Sequence, residues 1–126
     1  MEDIVNNISK TVYETLGPGY KENIYHNAFL IELRKTDTQC QSEVICPILY
    51  NNIQIGFERA DIVIYDSNEM KCVLEFKSIN TTISSKEILQ IRKYIKNFSI
   101  KEGYLVNFSS KLEIYYVTLD EAKKIS

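Results

Sequence analysis

The sequence predicts an α/β fold in which helices flank a central mixed β-sheet. Three observations lead there. Apolar residues recur at three- and four-residue spacing in two N-terminal segments and one central segment, which is helical periodicity. β-prone runs lie before and after the central helix, giving the order α-α-β-β-β-α-β-β. Two of those runs, around Asp61 and Glu75, are almost continuously apolar, as in strands covered on both faces. With 126 residues, 44% of them hydrophobic, the chain is expected to form one domain over residues 1–126.

The first helix is expected over Asp3 to Leu16, with Ile4, Ile8 and Val12 as its apolar stripe and Asp3 as N-cap. Gly17-Pro18-Gly19 ends it, because proline cannot continue a helix. A second helix is expected from Tyr20 to Lys35. Ile24, Ala28, Ile31 and Leu33 are read as its core face, with Glu22, Tyr25, His26 and Phe29 on an adjoining face. Glu22 falls in the first turn, where the helix dipole alone favours an acid; the same position also suits a carboxylate aimed at a metal. His26 is read as an exposed or hydrogen-bonded helix residue rather than a ligand.

Glu43 to Tyr50 reads as a strand, with Pro47 marking a bulge or an edge. Asn51-Asn52 is a turn, and a strand restarts at Ile53, where Gly56 permits a bend. Ser84 to Phe98 is the third helix. Ser84 or Ser85 caps it, Glu87 lies near the first turn, and Ile88, Ile91, Ile95 and Phe98 form the stripe. Gly103–Phe108 and Leu112–Val117 are two further strands. The tail after Thr118 is expected to form a helical turn or to fray.

Arg59 to Lys77 holds the chemistry. Two apolar runs flank Asp66-Ser67-Asn68-Glu69, a hairpin pattern. If Tyr65 pairs with Lys71 around a five-residue loop, Asp61 lies opposite Glu75. Strand alternation then puts Asp61, Glu75 and Lys77 on one face and Phe76 on the other. Two acids beside a lysine can hold Mg²⁺, a hard cation that prefers carboxylate oxygens, and steer a water. The same trio also reads as a cross-strand ion pair, a common feature worth little. The apolar surroundings favour the functional reading, since charges placed there are costly unless they bind something or each other.

Composition excludes several classes. The net charge of −2 offers no overall attraction for nucleic acid, so binding would need a local patch or a metal. Cys40, Cys46 and Cys72 with the lone His26 lack zinc-site spacing, and Cys46 and Cys72 are read as buried thiols. No apolar run approaches the roughly 20 residues of a membrane helix. The expectation is an intracellular protein, cytoplasmic or, in a eukaryotic host, nuclear, with no membrane partner.

Gly19-Tyr20-Lys21-Glu22-Asn23-Ile24-Tyr25 spells G-x-x-E-x-x-Y, and the chain resembles the GxxExxY family of the PD-(D/E)XK nuclease superfamily. The resemblance runs on through Ala28, Glu32-Leu33, Arg59-Ala60-Asp61, Leu74-Glu75-Phe76-Lys77, Gln90 with Tyr94, and Gly103 to Phe108. It implies a restriction-endonuclease-like core and a nuclease using Mg²⁺ or Mn²⁺. Asp61, Glu75 and Glu22 are the implied metal residues, and Lys77, Gln90 and Glu22 the implied catalytic ones. Tyr94, Arg92 and Lys93 are candidates for substrate contact, although a basic helix face is usually only solvated. Nucleic acid is the implied partner, DNA ahead of RNA, with a homodimer as a further expectation. Two positions depart from the family pattern: Ala60 stands where the superfamily name has proline, and Lys86-Glu87 where related sequences carry histidine. The competing classes are a non-catalytic module that binds nucleic acid or a protein partner, and a structural dimer in which the charged trio is an ion-pair network.

Overall fold

Each expected helix and strand forms, and the tail adds one more strand. The computed structural model describes all 126 residues. The helices are α1 (Glu2–Leu16), α2 (Glu22–Arg34) and α3 (Ser85–Phe98). The strands are β1 (Gln39–Tyr50), β2 (Ile53–Asp66), β3 (Glu69–Lys77), β4 (Glu102–Phe108), β5 (Leu112–Val117) and β6 (Ala122–Lys124). The six strands lie in sequence order across one sheet. Only β3 and β4 run parallel, joined by the α3 crossover; all other neighbours are antiparallel.

The helices cover both faces. On one side α1 and α2 pack Val5, Val12, Tyr25, Phe29 and Leu33 against Ile62, Leu74, Phe76, Val106 and Phe108. On the other, α3 packs Ile91, Tyr94 and Ile95 against Ala60, Val63, Val73 and Leu105. This double cover explains the continuous apolar runs of β2 and β3. Gly103 fixes how closely α3 approaches, since a Cβ there would lie 2.8 Å from both Ile91 Cγ2 and Val73 Cγ1. The α3 N-terminus is a capping box: Ser84 Oγ accepts from Lys86 N–H, and Glu87 accepts from Ser84 N–H. Cys46 and Cys72 are buried free thiols, as read from the sequence.

Four local expectations need correction. The α2 core face consists of Tyr25, His26, Phe29, Leu30 and Leu33, whereas Ile24 and Ile31 are exposed. Two stripes of helical spacing compete on that helix, and the aromatic one buries more: Tyr25 stacks on Phe108 at 4.4 Å and Phe29 lies 4.9 Å from Phe76. Asp3 sits within the first turn of α1, whose N-cap is Met1 with no side-chain bond. The tail is neither helical nor frayed. Thr118 Oγ1 accepts from the Asp120 and Glu121 N–H groups, and this turn folds residues 122–124 onto β5 as β6.

The fourth correction concerns the central hairpin. Its turn is the two residues Ser67 and Asn68, both at positive φ, inside the pair Asp66↔Glu69. Tyr65 pairs with Met70, not Lys71, and Lys71 is the extra residue of a bulge before Ile64↔Cys72. The shorter loop and the bulge cancel, so the offset that sets Asp61 across from Glu75 survives.

Candidate active site

The site lies where the sheet forks. Pairing between β2 and β3 stops at Ile62↔Leu74. Beyond that point β2 continues beside β1 alone, and β3 continues beside β4 to Lys77↔Asn107. The first residues past the fork are Asp61 and Glu75. Their carboxylates extend the ladder where backbone carbonyls no longer reach. Glu75 Oε1 accepts from Asp61 N–H at 2.9 Å, and Asp61 Oδ2 accepts from Phe76 N–H at 2.9 Å. Each acid therefore spends one oxygen on a backbone amide and keeps the other, Oδ1 or Oε2, unbonded within the protein.

The backbone of β2 changes face at this point. Ala60 belongs to the α3-side core, whereas Ile62 and Ile64 belong to the α1/α2 side, although a regular strand keeps all three together. The facing residue on β1 is Glu43, at φ 55. The flip turns Asp61 along the sheet, toward the β3 backbone.

Glu75 is almost fully buried and Asp61 partly so. Burial, and next the negative charge of Asp61, push the Glu75 carboxyl up to about 8. Burial likewise raises Asp61, opposed by the Phe76 N–H bond and by His26 and Lys77. Two acids so placed resist ionising together, and a nearby cation relieves both.

Lys77 follows on the same strand, and its Nζ lies 3.8 Å from Glu22 Oε1 in the first turn of α2. The G-x-x-E-x-x-Y segment explains how Glu22 gets there. Gly19 sits at φ 106, a conformation that disfavours any side chain. The Tyr25 hydroxyl donates to Gly17 O at 2.6 Å and accepts from Tyr20 N–H at 3.2 Å, clamping the α1–α2 connection. With Tyr25 and Phe29 turned into the core, Glu22 is carried to the end of β3.

On the α3 side, Gln90 Nε2 donates to Glu58 Oε2 at 2.7 Å and to the Tyr94 hydroxyl at 2.8 Å. That hydroxyl donates to Arg59 O at 2.9 Å. Burial and the Glu75 charge raise the Tyr94 phenol well above its usual range, so it stays a donor. The pair thus grips β2 two residues before Asp61. Arg92 is not gathered here; its Nε donates to Thr118 O at 2.9 Å, near β5. Lys93 is exposed, one turn along α3 from Gln90. Glu87 is committed to the capping box, which gives the position a structural use.

Three participants were absent from the sequence-derived site. His26 Nδ1 stands 3.9 Å from Asp61 Oδ1, and its Nε2 shares a 2.9 Å hydrogen bond with Ser42 Oγ. It is hydrogen-bonded, as expected, and also faces the site; its position one turn after Glu22 was the available signal. Glu58 shares a strand face with Ala60 and is held by Gln90. Asn107, fully buried, accepts from Ile79 N–H and donates to Ile79 O, tying down the chain just after Lys77. Its signals in the sequence are a polar residue inside GYLVNF and the family resemblance over Gly103 to Phe108, which assigned it no role.

No three His, Cys, Asp or Glu side chains converge as a ready ligand set. Two carboxylates with free oxygens suit Mg²⁺, which keeps several of its waters and needs few protein ligands. The donor set therefore fits such an ion: Asp61 and Glu75 could hold it, with Glu22 beside Lys77 at the same corner.

Known proteins bear on the fold and the family of this chain. A family model described as the PD-(D/E)XK nuclease superfamily matches residues 1–117. No curated protein matches the chain. Among solved structures, the one titled "Crystal structure of SSO0001" superimposes with a TM-score of 0.61 at 21% identity, over 77% of this chain and 50% of that one. At that identity the likeness bears on the fold alone, and this chain spans about half the length of that protein. Three helices around a six-stranded mixed sheet, with the family match over nearly the whole length, give a restriction-endonuclease-like fold, and the chain belongs to the PD-(D/E)XK nuclease superfamily.

Proposed function

We propose that this chain is a metal-dependent nuclease that hydrolyses phosphodiester bonds in nucleic acid, with DNA as the first substrate to test and RNA the second. The observation that carries the reading is the fork itself. Two acids that oppose each other's ionisation each keep one oxygen free, with an ammonium two residues further along β3. Asp61 and Glu75 would hold Mg²⁺ or Mn²⁺, assisted by Glu22. Such an ion supplies Lewis-acid polarisation of the phosphate and a more acidic bound water, worth several kcal/mol.

The chain's own residues do the rest. Lys77 places its ammonium where negative charge develops on the phosphate, and Glu22 restrains that ammonium. Gln90 commits its amide nitrogen to Glu58 and Tyr94, leaving its carbonyl oxygen to accept from a water. Tyr94 acts through the Arg59 carbonyl and so positions Asp61. Lys93, exposed one turn from Gln90, is an α3 cation that could meet the phosphate backbone. The G-x-x-E-x-x-Y segment supports placing the chain in the GxxExxY group, because its glycine, acid and tyrosine each have a distinct task in setting up this corner.

A non-catalytic binding module is the second reading. One observation favours it: the net charge of −2 gives the chain no overall excess of cations for holding a duplex, and Arg92 is turned toward Thr118 rather than the fork. Cleavage of DNA and RNA in Mg²⁺ or Mn²⁺ separates the two. Wild type should cut, while Asp61→Ala and Lys77→Ala should not. Equal cutting by all three would trace the activity to a contaminant, and no cutting by any of them, on either substrate, would favour the module.

A further inference from the structure

Beyond the site, the β1–β2 hairpin runs out as an arm that carries large apolar side chains at the surface. Ile45, Leu49, Tyr50, Ile53, Ile55 and Phe57 are each 44–68% exposed. Ile45, Pro47 and Leu49 alternate onto one face of β1, and Phe57, paired with Pro47, shares it. This face is turned away from α3, since Cys46 on the opposite face packs into the α3-side core. The arm closes through Asn51-Asn52, both at positive φ, as a two-residue hairpin turn.

We propose that this face is a two-fold interface between two copies of this chain. Area is the first support. Tyr50 and its partner Ile53 alternate onto the opposite face, so the patch consists of Ile45, Leu49, Ile55 and Phe57 around Pro47, and four large side chains about half exposed offer on the order of 400 Å². That is within the range of the largest, often functional, patches on monomers, and about half of the ~800 Å² that each partner of an ordinary dimer contributes. Charge is the second. No charged residue lies between Ile45 and Phe57, so the face has nothing to attract phosphates or lipid headgroups and nothing to repel its own copy. A self-complementary contact needs only such a neutral apolar patch.

Shape is the third. β1 is an outer strand of the sheet, and Pro47 removes an N–H from its middle. Strand-to-strand extension along that edge is therefore interrupted, while packing through the face is not. Arg59, across from Ile45, ends the patch two residues from Asp61 and supplies a polar rim.

Sedimentation velocity tests the assignment. Wild type should be a dimer at about 100 µM, well above the micromolar end of the range for interfaces of ordinary size. Ile55→Lys combined with Phe57→Lys should be a monomer with an unchanged circular dichroism spectrum. Amide exchange on wild type provides a check that requires no variant: protection of the backbone between residues 45 and 57 should rise with protein concentration. A wild-type monomer at that concentration would overturn the proposal and leave the face to a different protein partner or to a further segment of a longer chain. A folded double variant that stays dimeric, or exchange that ignores concentration, would overturn it as well.

Discussion

Asp61 and Glu75 are joined through each other's strands: the Asp61 amide donates to the Glu75 carboxylate, while the Asp61 carboxylate accepts from the amide just after Glu75. Two acids thereby stand in for the last rung of a ladder. The arrangement sets both oxygens that face outward, and it stabilises the fold only while the pair is not doubly charged.

That condition makes the metal-free protein pH-sensitive. Glu75 rises from its ordinary 4.5 to about 8 in the folded state, so the folded chain holds a proton that the unfolded chain has released. Stability from this group is full below about pH 4.5 and is lost as pH climbs through about 8. Urea melts with a chelator present should show stability falling by about 2–4 kcal/mol from pH 5 to pH 9. Excess Mg²⁺ should reduce the fall, because a cation favours the charged pair.

Glu75→Gln should separate stability from function. The amide oxygen can still accept from Asp61 N–H, and the buried charge is gone. Metal-free stability at pH 8 should rise by about 1–3 kcal/mol, as measured by denaturant melts. Cleavage should fall by about 100-fold or more, because the carboxylate proposed to hold the ion is lost.

Tyr94→Phe removes the hydroxyl that joins Gln90 to the Arg59 carbonyl. A half-satisfied buried network should cost about 1–3 kcal/mol in thermal or denaturant melts. Calorimetry should also show weaker Mn²⁺ binding, since the segment carrying Asp61 is no longer gripped. Equal affinity in the two proteins would confine Tyr94 to a packing role.

The orientation of α2 can be tested independently. Phe29→Ala should cost about 3–5 kcal/mol, because Phe29 packs on Phe76 in the core. Ile31→Ala should stay within about 0.5 kcal/mol, because Ile31 is exposed. The reverse ranking would restore the face that sequence periodicity favoured.

Much of this protein was legible before its coordinates. Period and turn residues located the three helices and five strands, because each buried stripe was flanked by strong punctuation such as Gly17-Pro18-Gly19 and the Ser84 cap. Alternation along β3 sets Glu75 and Phe76 on opposite faces, and the offset to Asp61 is legible because the shorter turn and the bulge at Lys71 cancel. What stayed hidden depended on contacts between distant residues. Two equally spaced stripes on α2 cannot be ranked without the phenylalanines they meet. The β2 face flip at Asp61 leaves no trace in composition. His26 and Glu58 were ordinary polar residues until the fork gave them neighbours, and β6 exists only because the Thr118 turn returns the tail to β5.

The most direct measurement is a crystal structure with Mn²⁺, read by its anomalous signal. The account predicts one peak at the fork, held by the Asp61 and Glu75 carboxylates. An empty fork at saturating Mn²⁺, or a peak held by other residues, would contradict it.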